Sequence, residues 1–160
     1  MRLRSACGAA IVAAIILSGC SGGGSSPNSS PSSSPSVSFN TSFKAVTGQF
    51  QHGALVIGQA VAAAGGETDA QLGTTFQTLA NKWQTVLSKL ETLTPPSSVA
   101  TEFNTLKDAA SRVEADLNAV VSAAATHDAS AAAQASHSLV QDMASAKAAA
   151  QSMYSKLGIS

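Results

Sequence analysis

The sequence predicts an all-α protein: an up-down-up-down four-helix bundle, preceded by a signal peptide and a disordered tether rich in Ser, Pro and Gly. Two observations lead to this prediction. From about Ser38 onward, apolar residues recur in alternating steps of four and three, the period of helices that pack on one another. No stretch combines period-two alternation with strand-forming residues, so a sheet is not expected. The folded domain is then residues 38–160.

Four helices are expected, at about residues 38–64, 68–94, 98–125 and 128–157. Gly65-Gly66 separates the first two, and Pro95-Pro96 ends the second, because proline lacks the amide hydrogen that a helix needs. Start and stop signals agree with these limits. They are Thr68 with Gln71 in a capping-box spacing, Ser97 or Ser98 before the third helix, Asp128 before the fourth, and Gly158 as the terminator.

Two of the helices depart from an ordinary amphipathic composition. Gly48, Gly53 and Gly58 interrupt the first helix, where each costs up to about 1 kcal/mol relative to alanine. They indicate either a close helix crossing or a bend, or simply a less stable helix. The fourth helix is dominated by Ala and Ser, so it is expected to lie close to its neighbours while burying little apolar area.

Residues 1–19 have the pattern of a signal peptide. Arg2 and Arg4 form a basic start, followed by the apolar run Ala6–Leu17. This run is shorter than the roughly 20 apolar residues of a membrane-spanning helix. A basic start followed by a short apolar stretch is instead typical of a cleaved export signal.

The end of this run, Leu17-Ser18-Gly19-Cys20, resembles the lipobox of bacterial lipoproteins, an aliphatic residue and two small ones before a cysteine. The resemblance implies that the Cys20 thiol takes a diacylglyceryl group and that a peptidase cuts between Gly19 and Cys20. The protein would then be lipid-anchored at the extracytoplasmic face of a bacterial membrane. The alternative is a plain secretory signal with an incidental cysteine. Cys7 would be lost with the signal peptide, which leaves no disulfide in the mature chain.

Residues 20–37 form the lipidated cysteine and the tether. Residues 21–36 contain only Ser, Gly, Pro and Asn, so they bury no core and are expected to be disordered. An O-glycosylated stalk would use the same residues.

The remainder of the chain is similar to alanine-rich, charge-poor helical lipoproteins and secreted proteins of actinobacteria. The pattern is Leu93-Thr94-Pro95-Pro96, then Phe103, Leu106 and Asp116-Leu117 before another Ala-rich helix. This resemblance implies no activity, and it carries over no site residue beyond Cys20.

Candidate ligand-binding residues are few: Trp83, His137 and Met143. Trp83 lies on the apolar stripe of the second helix, where it is either a core anchor or the wall of a ligand pocket. His137 and Met143 are conceivable axial ligands of a haem, but surface histidines and a gap-filling methionine explain them more simply. No histidine has a carboxylate or second histidine at ligand spacing, so neither a metal nor a cofactor is expected.

Charge spacing predicts two surface features. Lys89 and Glu102 are expected to face each other across the Pro95-Pro96 turn. Asp108, Arg112 and Asp116 are spaced by four, which predicts an ion-pair ladder along the third helix.

Composition excludes some functions and leaves two hypotheses. Nine acids against nine bases give no basic surface for nucleic acid. No serine sits in a Gly-x-Ser-x-Gly elbow between a strand and a helix, and no phosphate-binding loop is present, so an enzyme is not expected. The first hypothesis is a lipid-anchored interaction or structural module that contacts an envelope protein or wall polymer. The second is a bundle that binds a small ligand or a cofactor such as haem in a cavity among the small residues of the first and fourth helices.

Overall fold

Four long α-helices make up nearly all of residues 35–159, the part of the chain that the computed structural model describes. They are α1 (Pro35–Ala63), α2 (Asp69–Glu91), α3 (Ala100–Ala125) and α4 (Ala129–Leu157). No strand occurs in this part, and the predicted up-down-up-down bundle is confirmed. The predicted signal peptide, most of the tether, Gly19 and Cys20 lie outside the described residues.

Three predicted caps are present, one at the start of α2 and one at each end of α4. Thr68 and Gln71 form a reciprocal capping box at the start of α2, which satisfies amides that have no partner inside the helix. The Asp128 carboxylate accepts from the amide of Ala131 at the start of α4. Gly158 adopts φ 63° at the end of α4, the left-handed conformation that glycine reaches without strain.

Two helix starts differ from prediction. The structure begins α1 at Pro35, before the predicted limit, because proline has a fixed φ suited to the first helical turn. The predicted serine cap of α3 is wrong. Residues Ser97–Val99 form a 3-10 turn, and α3 starts at Ala100 after Val99, which makes no side-chain cap. The double proline directs this segment into a separate turn before the α-helix begins.

The core runs the length of the bundle and receives apolar side chains from all four helices. The largest fully buried side chains are Phe43, Ile57, Phe76, Leu90, Leu106, Leu117, Leu139 and Met153. Helix α3 packs extensively with both α2 and α4. The small side chains Ala146, Ala149 and Ala150 permit α4 to approach closely, as its alanine content predicts.

Helix α1 is packed less extensively than the other three, and it contacts α2 and α4 at its two flanks. Its core contacts are concentrated on aromatic rings. Phe39 stacks on Phe43 and meets Phe103 edge-on, while Phe50 packs against Trp83 with ring centroids 4.6 Å apart. Because α1 is held along one narrow stripe, a groove opens on each side of it.

Candidate functional site

The larger of the two grooves lies between α1 and α4 and has a volume of about 570 Å³. We call it the α1–α4 groove. It is lined by Thr47, Phe50, Gln51, Ala54 and Leu55 of α1 and by Val140, Met143, Ala144, Lys147, Ala150, Gln151 and Tyr154 of α4. Leu55 and Val140 are 68% and 51% exposed, and they are two of the three large apolar residues exposed in the described part of the chain. The groove is therefore an accessible apolar surface.

Polar and apolar side chains are separated along the axis of this groove. From Thr47 to Leu55 the axial rise is about 12 Å. The Leu55 end is walled by Ala54, Val140 and Met143. The opposite end leads into an adjoining open cleft that is lined by Lys44, Gln51, Gln151, Tyr154, Ser155 and Ile159. One end of the groove is thus apolar, the other presents amides and hydroxyls beside Lys44, and Lys147 lies between them.

A pair of hydroxyl groups forms part of the polar end. The Thr47 side chain is 1% exposed, and it is the one polar residue classed as buried in the described part of the chain. Its hydroxyl donates to the carbonyl of Phe43 at 2.8 Å and lies in hydrogen-bond contact with the hydroxyl of Tyr154. This bond is a direct polar contact between α1 and α4 at the polar end of the groove.

The second groove, about 460 Å³, lies between α1 and α2 beside Trp83. Trp83 is only 2% exposed, and its Nε1 donates to the carbonyl of Ala110 at 2.8 Å. Gly53 lies against the indole, since a Cβ built there would be 3.4 Å from the ring. Trp83 is consequently a core anchor with a satisfied indole N–H, and one edge of it also borders this groove.

The two predicted haem ligands are not brought together. His137 is exposed, accepts from the Gln141 side-chain amide at 3.0 Å, and lines neither groove. Met143 is half-buried and lines the apolar end of the α1–α4 groove. Within residues 35–159, no group of three or more His, Cys, Asp or Glu side chains is placed to hold a metal ion.

The predicted contact between Lys89 and Glu102 is wrong. The Lys89 ammonium donates to the Gln49 side chain of α1 at 2.9 Å, and Glu102 pairs with Lys156 of α4. Hydrogen bonding to Lys156 lowers the pKa of the Glu102 carboxyl. The intervening 3-10 turn and the core contacts of α3 set the register of α3 relative to α2. As a result, Lys89 contacts α1 and Glu102 contacts α4.

The predicted ladder along α3 is also wrong, because Arg112 turns to α4 and pairs with Asp142, with Nε–Oδ1 2.9 Å. Asp116 is half-buried, and its Oδ2 is buried without a hydrogen-bond partner. Burial, together with the nearby Asp142 carboxylate, raises the pKa of Asp116. Folding therefore makes ionisation of this residue less favourable than it is in the unfolded chain.

No protein family model, curated protein or solved structure matches this chain. In the part of the chain that the structure describes, no helix is long and apolar enough to cross a membrane.

Sequence reasoning missed the residues that shape the α1–α4 groove, apart from Met143. Leu55 and Val140 lie outside the apolar stripes that α1 and α4 bury. A large apolar residue outside the buried stripe was the sequence signal that could have identified them. Tyr154 is the only tyrosine and follows the core residue Met153. Its partner Thr47 follows the core residue Val46 in the same way.

Proposed function

We propose that this protein is a lipid-anchored lipoprotein of the bacterial cell envelope and that its bundle is a non-catalytic interaction module. The observation that carries the binding role is the accessible α1–α4 groove, with Leu55 and Val140 exposed at its apolar end. Exposed apolar surface is unfavourable in water, and on a folded domain it is typical of a place where another molecule docks.

The proposed anchor is a lipid on Cys20, the last residue of the lipobox-like Leu17-Ser18-Gly19-Cys20. A cut between Gly19 and Cys20 would leave this cysteine as the N-terminus. Two or more acyl chains give stable attachment, at about 0.8 kcal/mol per buried methylene. Residues 21–36 would then hold the bundle away from the membrane at the extracytoplasmic face, within reach of an envelope protein or wall polymer.

The chemistry of the groove supports binding rather than catalysis. Its polar lining consists of the hydroxyls of Thr47 and Tyr154, the amides of Gln51 and Gln151, and the ammonium of Lys147. Among these side chains there is no nucleophile beside a general base and no pair of carboxylates. Such groups orient a bound molecule and do not activate it.

Small-ligand binding is a second candidate, and the size of the groove favours it. A volume of about 570 Å³ falls inside the range typical of small-molecule sites. The haem version of this candidate gains no support from His137, which lies on the surface outside both grooves.

Membrane fractionation with metabolic labelling by a radioactive fatty acid tests the anchor. The native chain is expected in the membrane fraction with label, whereas Cys20→Ala is expected to be unlabelled and released. Cys7→Ala is the matched control, because Cys7 precedes the proposed cut, and it should behave like the native chain. Continued membrane retention of Cys20→Ala would contradict the proposal.

Site-specific photocrosslinking in native membranes tests the binding role. A photoreactive residue at Leu55 is expected to give a discrete adduct. The same residue at Gln84, which is exposed on α2 and lines neither groove, should give none. Equal adducts at both positions, or none at Leu55, would argue against the groove as the binding surface.

A further inference from the structure

We propose that the α1–α4 groove binds a single-chain amphiphile with an anionic head group, a molecule of the fatty-acid class. This inference rests on the proposed binding role, because it names the ligand of the same groove, but it does not depend on the lipid anchor.

The apolar end of the groove provides a surface for an alkyl chain. Leu55, Val140 and Met143 line it, and Phe50 and Ala54 complete the wall on the α1 side. Methionine is unbranched and adapts to irregular apolar shapes, which suits a flexible chain. Covering the exposed faces of Leu55 and Val140 would remove apolar area from water and so favour binding.

Lys147 provides a positive charge in the α1–α4 groove. Lys147 lines the groove between the apolar and polar ends, and among residues 35–159 it has no carboxylate within ion-pair distance. Helix α1 contains no Asp or Glu at all. The one acid within α4, Asp142, pairs with Arg112 of α3. The N-cap residue Asp128 accepts a hydrogen bond from the first turn of α4. The charge of this region therefore complements an anion.

Neutral hydrogen-bonding groups surround this charge. Gln51 and Gln151 are exposed beside Lys147 and continue into the cleft that Lys44 also lines. Amide N–H groups and an ammonium together suit a carboxylate, because charge-assisted hydrogen bonds to an ionised oxygen are stronger than neutral ones. The order along the groove, apolar wall and then donors, matches the order of tail and head in an amphiphile.

Other occupants fit the groove less well. A partner helix needs an apolar strip along its whole contact. The α4 wall of the groove runs about 21 Å from Val140 to Tyr154 and is interrupted by Lys147 and Gln151. A second copy of this chain would need about 800 Å² of buried surface on each partner, whereas the groove exposes two large apolar side chains, Leu55 and Val140. A wholly apolar ligand would leave Lys147 without a role.

The test uses the full chain carrying Cys20→Ser, so that no acyl group of the protein itself can enter the groove. Dodecanoate is titrated below its micelle-forming concentration and followed by calorimetry and by the fluorescence of Trp83. This tryptophan reports on the groove because it packs against Phe50, which lines it. Dodecyltrimethylammonium, which has the same tail and a cationic head, is the ligand control.

Two pairs of variants locate the site. Ala144→Phe narrows the apolar end, and Ala148→Phe places the same ring at an exposed position of α4 that does not line the groove. Lys147→Glu reverses the charge in the groove, and Lys82→Glu reverses that of an exposed lysine at the other groove. Far-UV circular dichroism and the thermal midpoint establish that each variant is folded.

We expect dodecanoate to bind, Ala144→Phe and Lys147→Glu each to raise its Kd roughly tenfold, and the two controls to leave Kd unchanged. The cationic amphiphile should bind more weakly than dodecanoate. The inference is wrong if dodecanoate does not bind, if each variant behaves like its control, or if both amphiphiles bind equally. It is also wrong if the chain binds vesicles of phosphatidylglycerol but not dodecanoate. Because fractionation in cells tests the anchor separately, each idea can fail without the other.

Discussion

Replacing the interior glycines of α1 by alanine tests how this helix is packed. A Cβ at Gly48 or Gly58 would meet no atom within 4 Å beyond the adjacent backbone of its own helix, whereas a Cβ at Gly53 would lie 3.4 Å from the ring of Trp83. Alanine is favoured over glycine inside a helix by about 0.5–1 kcal/mol, in part because glycine has more conformational freedom in the unfolded chain. The three positions share this backbone gain and differ only in the space around them.

Gly48→Ala and Gly58→Ala are each expected to raise the free energy of unfolding by about 0.5–1 kcal/mol. The two positions are roughly 15 Å apart along the helix, so the double variant should show the sum of the two gains. Gly53→Ala is expected to change stability by less than about 0.5 kcal/mol, because Trp83 has little room to shift. The indole is held by its hydrogen bond to Ala110 and by the ring of Phe50.

Urea denaturation followed by far-UV circular dichroism and by tryptophan fluorescence measures these differences. The two signals should change together, since coincident transitions justify a two-state free energy. If Gly48→Ala or Gly58→Ala lowered the free energy of unfolding, the conclusion that these positions have room for a methyl group would be wrong. If Gly53→Ala gained as much as the other two, the close approach of α1 to Trp83 would be refuted.

Three further predictions follow from individual side chains. Tyr154→Phe removes the hydrogen bond to Thr47 and should lower the free energy of unfolding by about 1 kcal/mol. In a Thr47→Val background the same substitution should cost much less. An equal cost in the native and Thr47→Val backgrounds would contradict the pairing. Leu139→Ala should cost about 2–5 kcal/mol, whereas Leu55→Ala should cost under about 0.5 kcal/mol; similar losses in urea unfolding would mean that their burial is misassigned. Asp116→Asn should stabilise the protein at pH 7, by under about 1 kcal/mol, because the raised pKa of Asp116 makes ionisation unfavourable to folding above its ordinary value of 3.8. The gain should disappear at about pH 3, where the native side chain is protonated in both states, and a gain of equal size at both pH values would show that charge is not its cause.

Local signals in the sequence were sufficient for the helices and for most of their ends. The apolar residues Leu72, Phe76, Leu79 and Trp83 recur at the helix period, and the structure buries all four. The caps at Thr68 and Asp128 act within one helical turn, so they do not depend on the rest of the fold. The serine cap of α3 was the exception, because Ser97 and Ser98 entered a separate turn after the prolines.

Contacts between helices were beyond the sequence. Lys89 and Arg112 each had an acid at a plausible spacing, yet Lys89 meets Gln49 and Arg112 meets Asp142. Which surface side chains meet depends on the register and rotation of neighbouring helices, and these are set by how the buried side chains interlock. A small axial shift changes every surface pair while leaving the apolar period of each helix unchanged.

The sequence by itself therefore determined an all-α bundle, because burial of a periodic apolar stripe and the caps are properties of each segment. The lipobox-like Leu17-Ser18-Gly19-Cys20 likewise predicts an anchor from sequence alone. Only the tertiary structure decided where a binding surface lies. Helix α1 packs along a narrow stripe, and this leaves Leu55 and Val140 exposed with Lys147 beside the α1–α4 groove. A groove is the space between two helices, so its walls belong to neither sequence segment alone.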